Sequence, residues 1–283
     1  MIKPKLIPLP PLAEQKRIVS ILQRVFEQLD IVDELQQQYT NNITSLNKNI
    51  LDLAVRGKLV PQDPNDEPAS VLLKKIAEEK LKLIKEGKIK KQKALPAITE
   101  DEIPFDIPES WEWVRLSDIC KKITDGTHHS PPNTEAGDYM YVTAKNIKNE
   151  GVVKHNITYV SKDIHEEIFA RCNPEKGDVL LIKDGATTGV VTVNNIDEPF
   201  SMLSSVALLK QSQQINPWYL VAVLRSDLFY SNLRVKMKGT GITRITLNQI
   251  IPTPIPIPPL VEQNRIVERL FSILNAISNA EAE

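Results

Sequence analysis

Thiols are almost absent from this 283-residue chain, whose two cysteines are Cys120 and Cys172. So small and scattered a set supports neither a disulfide framework nor a zinc cluster. Both are read as small packing hydrophobes in a reducing compartment. Also missing is any run approaching the roughly 20 apolar residues of a membrane-spanning helix. Met1 to Pro11 lack the apolar core of a signal peptide, so no membrane association and a cytoplasmic address are expected. Net charge is close to nil, −1 from 35 Lys and Arg against 36 Asp and Glu. The overall balance therefore argues neither for nor against a polyanionic partner, and only the distribution of charge is informative. No glycine-rich nucleotide loop, Gly-x-Ser-x-Gly or His-Glu-x-x-His string occurs, so the chain is expected to be non-catalytic.

What the chain does have is a repeat. Ile-Pro-Leu-Pro-Pro-Leu-Ala-Glu-Gln-Lys-Arg-Ile-Val at 7–19 returns 248 residues further on as Ile-Pro-Ile-Pro-Pro-Leu-Val-Glu-Gln-Asn-Arg-Ile-Val at 255–267. Two such strings bracketing a domain-sized insert read as equivalent structural units. Within each, the prolines can continue neither a helix nor a central strand and form an extended lead-in. Helix is expected just after them, with Glu14 and Glu262 in the first turn, where the dipole favours negative charge. Residues 1–11 are thus expected to be a lead-in and the tail of a preceding domain, and 12–60 hold a long helix. From Leu22 a heptad places Leu22, Leu29, Gln36, Ile43 and Ile50 at one seam position and Val25, Val32, Tyr39, Leu46 and Leu53 at the other. This predicts a coiled coil in which polar Gln36 fixes register, and a subunit interface along that seam. The alternative is a long amphipathic helix packed on a globular core. Gly57 marks the stop, with Pro61 soon after. About 40 helical residues at 1.5 Å rise would span about 60 Å, so the helix is also a spacer. A second such helix begins in 257–283, with Ile266, Leu270, Ile273 and Ile277.

Between them, 61–106 reads as a turn-rich break, a helix over 69–93 and a proline-rich linker. The end of that helix carries Lys85, Lys88, Lys90, Lys91 and Lys93, either a solvated face or a contact for phosphate or an acidic partner. Residues 107–256 read as an α+β domain. Short β-rich runs are expected at 139–143, 152–153, 179–182, 190–193 and 206–209, with mostly antiparallel or mixed pairing, and a helix at 217–233. Between Phe229 and Ile250 lie Arg234, Lys236, Lys238 and Arg244 and no acidic residue, with Gly239, Gly241, Thr240, Thr243 and Thr246. Cations, small residues and hydroxyls suit a phosphate-contacting loop, though a plain basic surface loop has the same composition. Three further loops carry side chains of the kinds that reach base edges: Thr127, His128 and His129; Lys145 and Asn146; Lys183, Thr187 and Thr188. Adjacent His128 and His129 diverge on a loop and have no third ligand nearby, so no metal is expected. Asn216-Pro217-Trp218-Tyr219 is a near miss for the Asn-Pro-Pro-Tyr motif of adenine methyltransferases; Trp218 replaces the second proline, and a helix N-terminus explains the string better.

The pattern resembles the DNA specificity subunit of type I restriction–modification systems. The features that carry the resemblance are the twice-occurring Pro-Leu-x-Glu-Gln-x-Arg-Ile-Val, the helix end Leu53-Ala54-Val55-Arg56-Gly57-Lys58-Leu59-Val60, the entry Ile107-Pro108-Glu109-Ser110-Trp111-Glu112-Trp113-Val114-Arg115-Leu116, and Gly177-Asp178-Val179-Leu180-Leu181. The resemblance implies a target recognition domain that reads one half of a split site in double-stranded DNA, with long helices setting the spacing. It implies docking to modification (methyltransferase) and restriction subunits, with S-adenosylmethionine, ATP and magnesium held by those partners and not by this chain. A full subunit of that family has two recognition domains and two complete helices. One domain, one long helix and one truncated helix fit a half-subunit or a fragment, and a half-subunit pairing with itself as a homodimer would read a split palindrome. Two other classes stay open: a recognition domain fused to its own methylase or nuclease, and a coiled-coil assembly protein.

Overall fold

A computed structural model describes residues 7–234 and 244–282. The chain divides into two compact units at Asn47/Lys48. Helix α1 (Leu12–Val55) is 44 residues long and contains neither proline nor glycine. It starts where the prolines end: the Pro11 carbonyl accepts from the amides of Glu14 and Gln15. It stops at Gly57, whose φ of +68° is the left-handed region. There the Gly57 amide reaches the Ala54 carbonyl and the Lys58 amide reaches that of Leu53 at 2.9 Å, the paired closure that satisfies the last carbonyls of a helix.

Within the first unit, the seam residues Leu22, Val25, Leu29, Val32, Tyr39 and Leu46 are 42–55% exposed. Ile43 is half-buried. The last heptad behaves differently, in the second unit. Ile50, expected on the intersubunit seam, is 5% exposed and joins Ala54 and Val55 in that unit's hydrophobic core, while Leu53 stays exposed. For Ile50 the alternative reading, an amphipathic helix packed on a core, is the correct one.

The rest of the second unit follows in this order: α2 (Ala69–Lys85), β1 (Glu112–Arg115), α3 (Leu116–Ile119), β2 (Cys120–Asp125), β3 (Tyr139–Val142), β4 (Ile147–Lys148), β5 (Gly151–Val152), β6 (Thr158–Val160), α4 (Lys162–Arg171), β7 (Val179–Ile182), β8 (Val191–Val193), β9 (Phe200–Met202), β10 (Val206–Gln211), α5 (Pro217–Arg225), α6 (Asp227–Arg234), α7 (Leu247–Ile250), β11 (Pro254–Ile257) and α8 (Leu260–Ala282). The class is α+β, as expected. The main sheet has the order β2-β10-β7-β8 and is antiparallel throughout; a second, β6-β3-β9, contains the parallel pair β3–β9. β1 pairs with β11 and β4 with β5.

The main sheet is buried on both faces. Val179, Leu181, Ala207 and Leu209 point into a core shared with α2, α5 and α8. Their neighbours Leu180, Ile182, Val206 and Leu208 point into a second core with Met140, Val142, Phe200 and Met202 of the three-stranded sheet. A strand covered on both sides has no polar alternation, which is why β7 and β10 read in sequence as continuous apolar runs.

Three expectations need correction. The helix over 69–93 ends at Lys85, because Gly87 turns left-handed at φ +70° and the Lys88 amide closes on the Leu83 carbonyl at 2.9 Å. Lys88, Lys90, Lys91 and Lys93 are therefore off the helix. The helix over 217–233 is broken at Ser226, whose extended backbone and hydroxyl, bonded to the Val223 carbonyl at 2.6 Å, divert the chain before α6. Finally, the proline lead-in of the second repeat is a strand. Pro254 and Pro256 occupy alternate positions of the ribbon β1–β11, so the donors they lack fall on one edge. The Pro256 carbonyl turns outward to the Tyr219 hydroxyl at 2.9 Å, consistent with a strand paired on one side only.

Gly57 and Gly87 offer a matched test. Both are left-handed, but a Cβ on Gly57 would lie 2.5 Å from the Pro108 ring, whereas nothing lies within 4 Å of one on Gly87. Gly87→Ala should cost about 1–2 kcal/mol, the left-handed penalty alone. Gly57→Ala should cost clearly more in urea denaturation followed by tryptophan fluorescence; equal costs would show that the Pro108 ring is not constraining.

Candidate nucleic-acid interface

The pairing register fixes where the loops emerge. Ala207 of β10 faces Asp125 of β2, Val206 faces Ile182 of β7, and Leu181 faces Val191 of β8. Residues 126–138, 183–190 and 203–205 therefore leave the main sheet at one end. The other sheet joins them there. The Leu203 amide donates to the Val142 carbonyl, and Thr127 forms a parallel bridge with Leu203, its amide donating to Met202 at 2.9 Å. The turn 143–146 after β3 issues from the same end. Arg244 is tied to the 183–190 loop by a bridge to Asp184, and the Ile245 amide donates to the Lys183 carbonyl at 2.7 Å. Segments far apart in sequence thus meet on one surface.

The proposed contact residues separate into distinct groups on that surface. His128, His129, Lys145, Thr187 and Arg244 are exposed; Thr127 and Thr188 are half-buried. The Thr127 hydroxyl turns back on its own loop, accepting from the His129 amide and donating to its carbonyl, and the Thr188 hydroxyl donates to the Gly185 carbonyl at 2.7 Å. Arg244 Nε lies 3.6 Å from Asp184 Oδ2. Lys236, Lys238, Thr240 and Thr243 lie outside the described residues.

Two residues are withdrawn from any DNA surface by burial. Asn146 is fully buried: its amide oxygen accepts from the Thr143 amide at 3.1 Å, and its nitrogen donates to the carbonyls of Val153 and His155. Its hydrogen bonds hold the 143–155 turn and leave nothing for adenine. Lys183 is 2% exposed, with Nζ 3.2 Å from Asp125 Oδ2, so its charge is answered inside the protein.

Asp125 is the residue that the sequence did not single out. It is 2% exposed and receives Lys183 from the end of β7 and Arg171 from the end of α4, which pairs with Oδ1. Arg171 Nη2 also donates to His128 Nε2 at 3.0 Å, and that nitrogen is 3.5 Å from Asp125 Oδ1. One buried carboxylate thereby pairs with a lysine and an arginine from two elements, and the arginine in turn holds the histidine. In sequence Asp125 signals only a turn, and Arg171 lies in a helix that no apolar periodicity marks. Burial pushes the thiols of Cys120 and Cys172 up to about 12, so both pack as inert side chains.

The two copies of the repeat have the same local geometry and different surroundings. Gln263 Nε2 donates to the Pro258 carbonyl at 3.0 Å, and Gln15 Nε2 makes the equivalent bond to Pro10 at 2.7 Å. In the second copy Glu262, Gln263 and Arg265 are engaged further. Glu262 accepts from the Trp111 indole at 2.9 Å and from Gln62, Arg265 pairs with Asp66, and Gln263 Oε1 accepts from the Asn216 amide at 2.8 Å. Ile255, Ile257 and Ile266 are fully buried. Their counterparts Ile7, Leu9 and Ile18 are 82%, 84% and 42% exposed.

Comparison with known proteins gives this geometry its context. Residues 108–283 match the type I restriction modification DNA specificity domain, and the chain belongs to that family. It is 31% identical, over 95% of its length, to the type I restriction enzyme EcoAI specificity subunit of Escherichia coli, and 38% identical, over 80% of its length, to the EcoEI specificity subunit of the same species. It spans only 53% and 38% of those two relatives. The fold is shared with a chain from a structural study of type I R-M complex assembly and conformational transition (TM-score 0.59, 22% identity, 98% of this chain and 55% of the other). It is shared also with the HsdS subunit of Thermoanaerobacter tengcongensis (TM-score 0.51, 21% identity, 96% and 54%).

The buried charges have measurable consequences. Asp125→Asn leaves the Lys183 ammonium unanswered in the interior and should cost about 3–5 kcal/mol of stability. Adding Lys183→Met should recover most of that cost in equilibrium denaturation; simple additivity of the two substitutions would show that the pair is not coupled. Glu262 has its pKa raised from the model-compound value of 4.5, chiefly by burial, against the opposing hydrogen bonds from Trp111 and Gln62. A raised folded-state pKa means that its contribution to stability is present at low pH and fades as pH rises through that value. Glu262→Gln should remove this downward slope above about pH 4.5, seen as a flatter stability–pH profile than that of the parent chain.

Proposed function

We propose that this chain reads one half of a two-part DNA site within a type I restriction–modification complex and scaffolds its partner subunits. The observation that carries the reading is the convergence of His128, His129, Lys145, Thr187 and Arg244, with Arg171 beside them, at one end of a rigid sheet. Cations and hydroxyls on loops anchored by a doubly buried sheet are what direct readout and phosphate positioning need. Arg244 can exchange its half-exposed pairing with Asp184 for a guanine edge or a phosphate. The subunit itself is non-catalytic in this reading. It acts in the cytoplasm beside modification and restriction subunits, which hold S-adenosylmethionine, ATP and magnesium.

The exposed seam of α1 is the scaffolding surface, and the first repeat extends it. Its side chains are those that the second repeat buries against an indole, an aspartate and a strand edge. The fitting partner is a second recognition domain of the same build, and if that domain belongs to another copy of the chain, two-fold symmetry dictates a split palindrome.

The test is selection from random duplex DNA by the chain with its modification subunit, at fixed moderate salt. A split palindrome is expected for a self-paired subunit and an asymmetric split site for one paired with a different recognition domain. No enrichment would favour a pure assembly protein. Arg244→Ala should then cost about 1–3 kcal/mol at a single position if it reads a base, or weaken all sequences equally and lower the salt slope by about one if it holds a phosphate. No change in either would remove Arg244 from the interface.

A further inference from the structure

A second cationic feature lies beside the loop cluster. The lysine run that follows α2 passes β2, the edge strand of the main sheet. Between them is a cleft of about 660 Å³ lined by Lys88 and Lys90 from the run, Lys121 and Lys122 from β2, and Arg171 from α4, with Glu167 as the one carboxylate among the described residues of its lining. These cations come from three separate segments. The early stop of α2 at Gly87 is what brings the first of them here, since a helix continuing to residue 93 would have carried the lysines away along its axis.

Several of these charges have partial answers. Lys88 Nζ is 2.8 Å from Glu86, Lys121 Nζ is 3.8 Å from Glu79, and Lys122 donates to Asn173 at 3.0 Å. With Asp125 on Arg171 and Glu167 in the lining, these carboxylates offset four of the five cations, and Lys90 and Lys122 have no carboxylate partner within the ion-pair contacts of the described residues, so the cleft keeps a small excess of positive charge. Burial, and then the nearby cations Lys210 and Arg171, pull the pKa of Lys122 below that of an ordinary lysine. Like charges held together in this way favour a bound anion.

The cleft is continuous with the candidate interface. It follows β2 from Lys121 to Thr124, and Asp125 and the Thr127–His129 loop come next. Arg171 belongs to both, lining the cleft while bonding His128 and Asp125. Four strand residues at roughly 3.3 Å each cover about 13 Å, the axial length of about four base pairs at 3.4 Å per step.

We propose that this cleft is a second DNA contact, taking the sugar–phosphate backbone that flanks the half-site read by the loops. The inference rests on the DNA-reading assignment and adds to it a sequence-independent grip placed beside the specific one. Backbone contacts of this kind set register and affinity without choosing bases.

The test is the triple variant Lys88→Gln/Lys90→Gln/Lys121→Gln, which leaves the Arg171–Asp125–His128 group intact. It is compared with the parent chain, each with the modification subunit, on the selected duplex over a range of salt. The slope of log affinity against log salt should become shallower by about 0.9 for each phosphate no longer neutralised, up to about 2.7, with the ranking of sequences unchanged. Trimming about four base pairs from the flank should erase the difference between variant and parent. An unchanged slope in a parent chain that still selects its sequence would overturn the cleft assignment alone. A slope difference without any sequence selection would overturn the recognition reading and keep the cleft. Absence of DNA binding by the parent complex would overturn both. A variant that keeps its DNA affinity and sheds the modification subunit, read by co-elution of the complex, would reassign the cleft to an acidic protein surface.

Discussion

A carboxylate buried at the end of a sheet cannot be left without cations, and Asp125 organises the loop end of the main sheet through that constraint. Desolvating its charge is costly, and the cost is offset only if opposite charges arrive with good geometry. Lys183 and Arg171 arrive from the ends of β7 and α4, consecutive elements that lie more than 40 residues along the chain from Asp125. Once they are there, the loops that follow β2 and β7 are tied together at their roots. His128 is placed by its bond from Arg171, and Arg244 is brought in through the backbone bridge to the residue after Lys183. The exposed side chains can vary in what they touch because the buried ones cannot.

The same division explains why residue type is an uncertain guide to the site. A lysine and an asparagine on loops are chemically capable of reading guanine and adenine. In Lys183 and Asn146 that chemistry is already consumed, by a buried carboxylate and by three backbone groups. Conversely, Arg171 carries the same capability at an exposed position but sits in a segment without apolar periodicity. Burial and partnership depend on which strands lie side by side, and that is set by long-range pairing such as Ala207 with Asp125.

The helical frame is far more legible. Heptad apolar positions, prolines before Leu12 and a glycine after Val55 are local signals, and α1 begins and ends where they indicate. The early stop of α2 at Gly87 is also written locally, in a glycine that outweighs the helix-favouring lysines around it. The break at Ser226 is not, since serine is tolerated within helices and its diverting hydrogen bond is visible only in three dimensions. Strands carrying prolines or paired lysines, β11 and β2, have no sequence signature because a ribbon edge and a cleft lining do not require apolar alternation. Strands buried on both faces, β7 and β10, are legible because continuous apolar runs leave no other role.

The repeat makes the strongest argument about assembly, because it is an experiment performed within one chain. Nearly identical residues occur twice, and the bond from the glutamine to its own proline carbonyl forms in both places. That bond is intrinsic to the segment. The burial of Ile255, Glu262 and Ile266 is not, since Ile7, Glu14 and Ile18 carry the same chemistry at exposed positions. What the second copy has, and the first lacks among the described residues, is a seat: an indole that donates to the glutamate, an aspartate that meets the arginine and a strand that pairs with the proline edge. Trp111 and β1 of that seat belong to the α+β domain, and Asp66 to the segment just before it. Under the proposed function, a segment shaped for that seat and attached to a long helix with an apolar seam is suited to connect two domains of this build. On that same reading the length of α1 is the ruler that would separate the two halves of the DNA site.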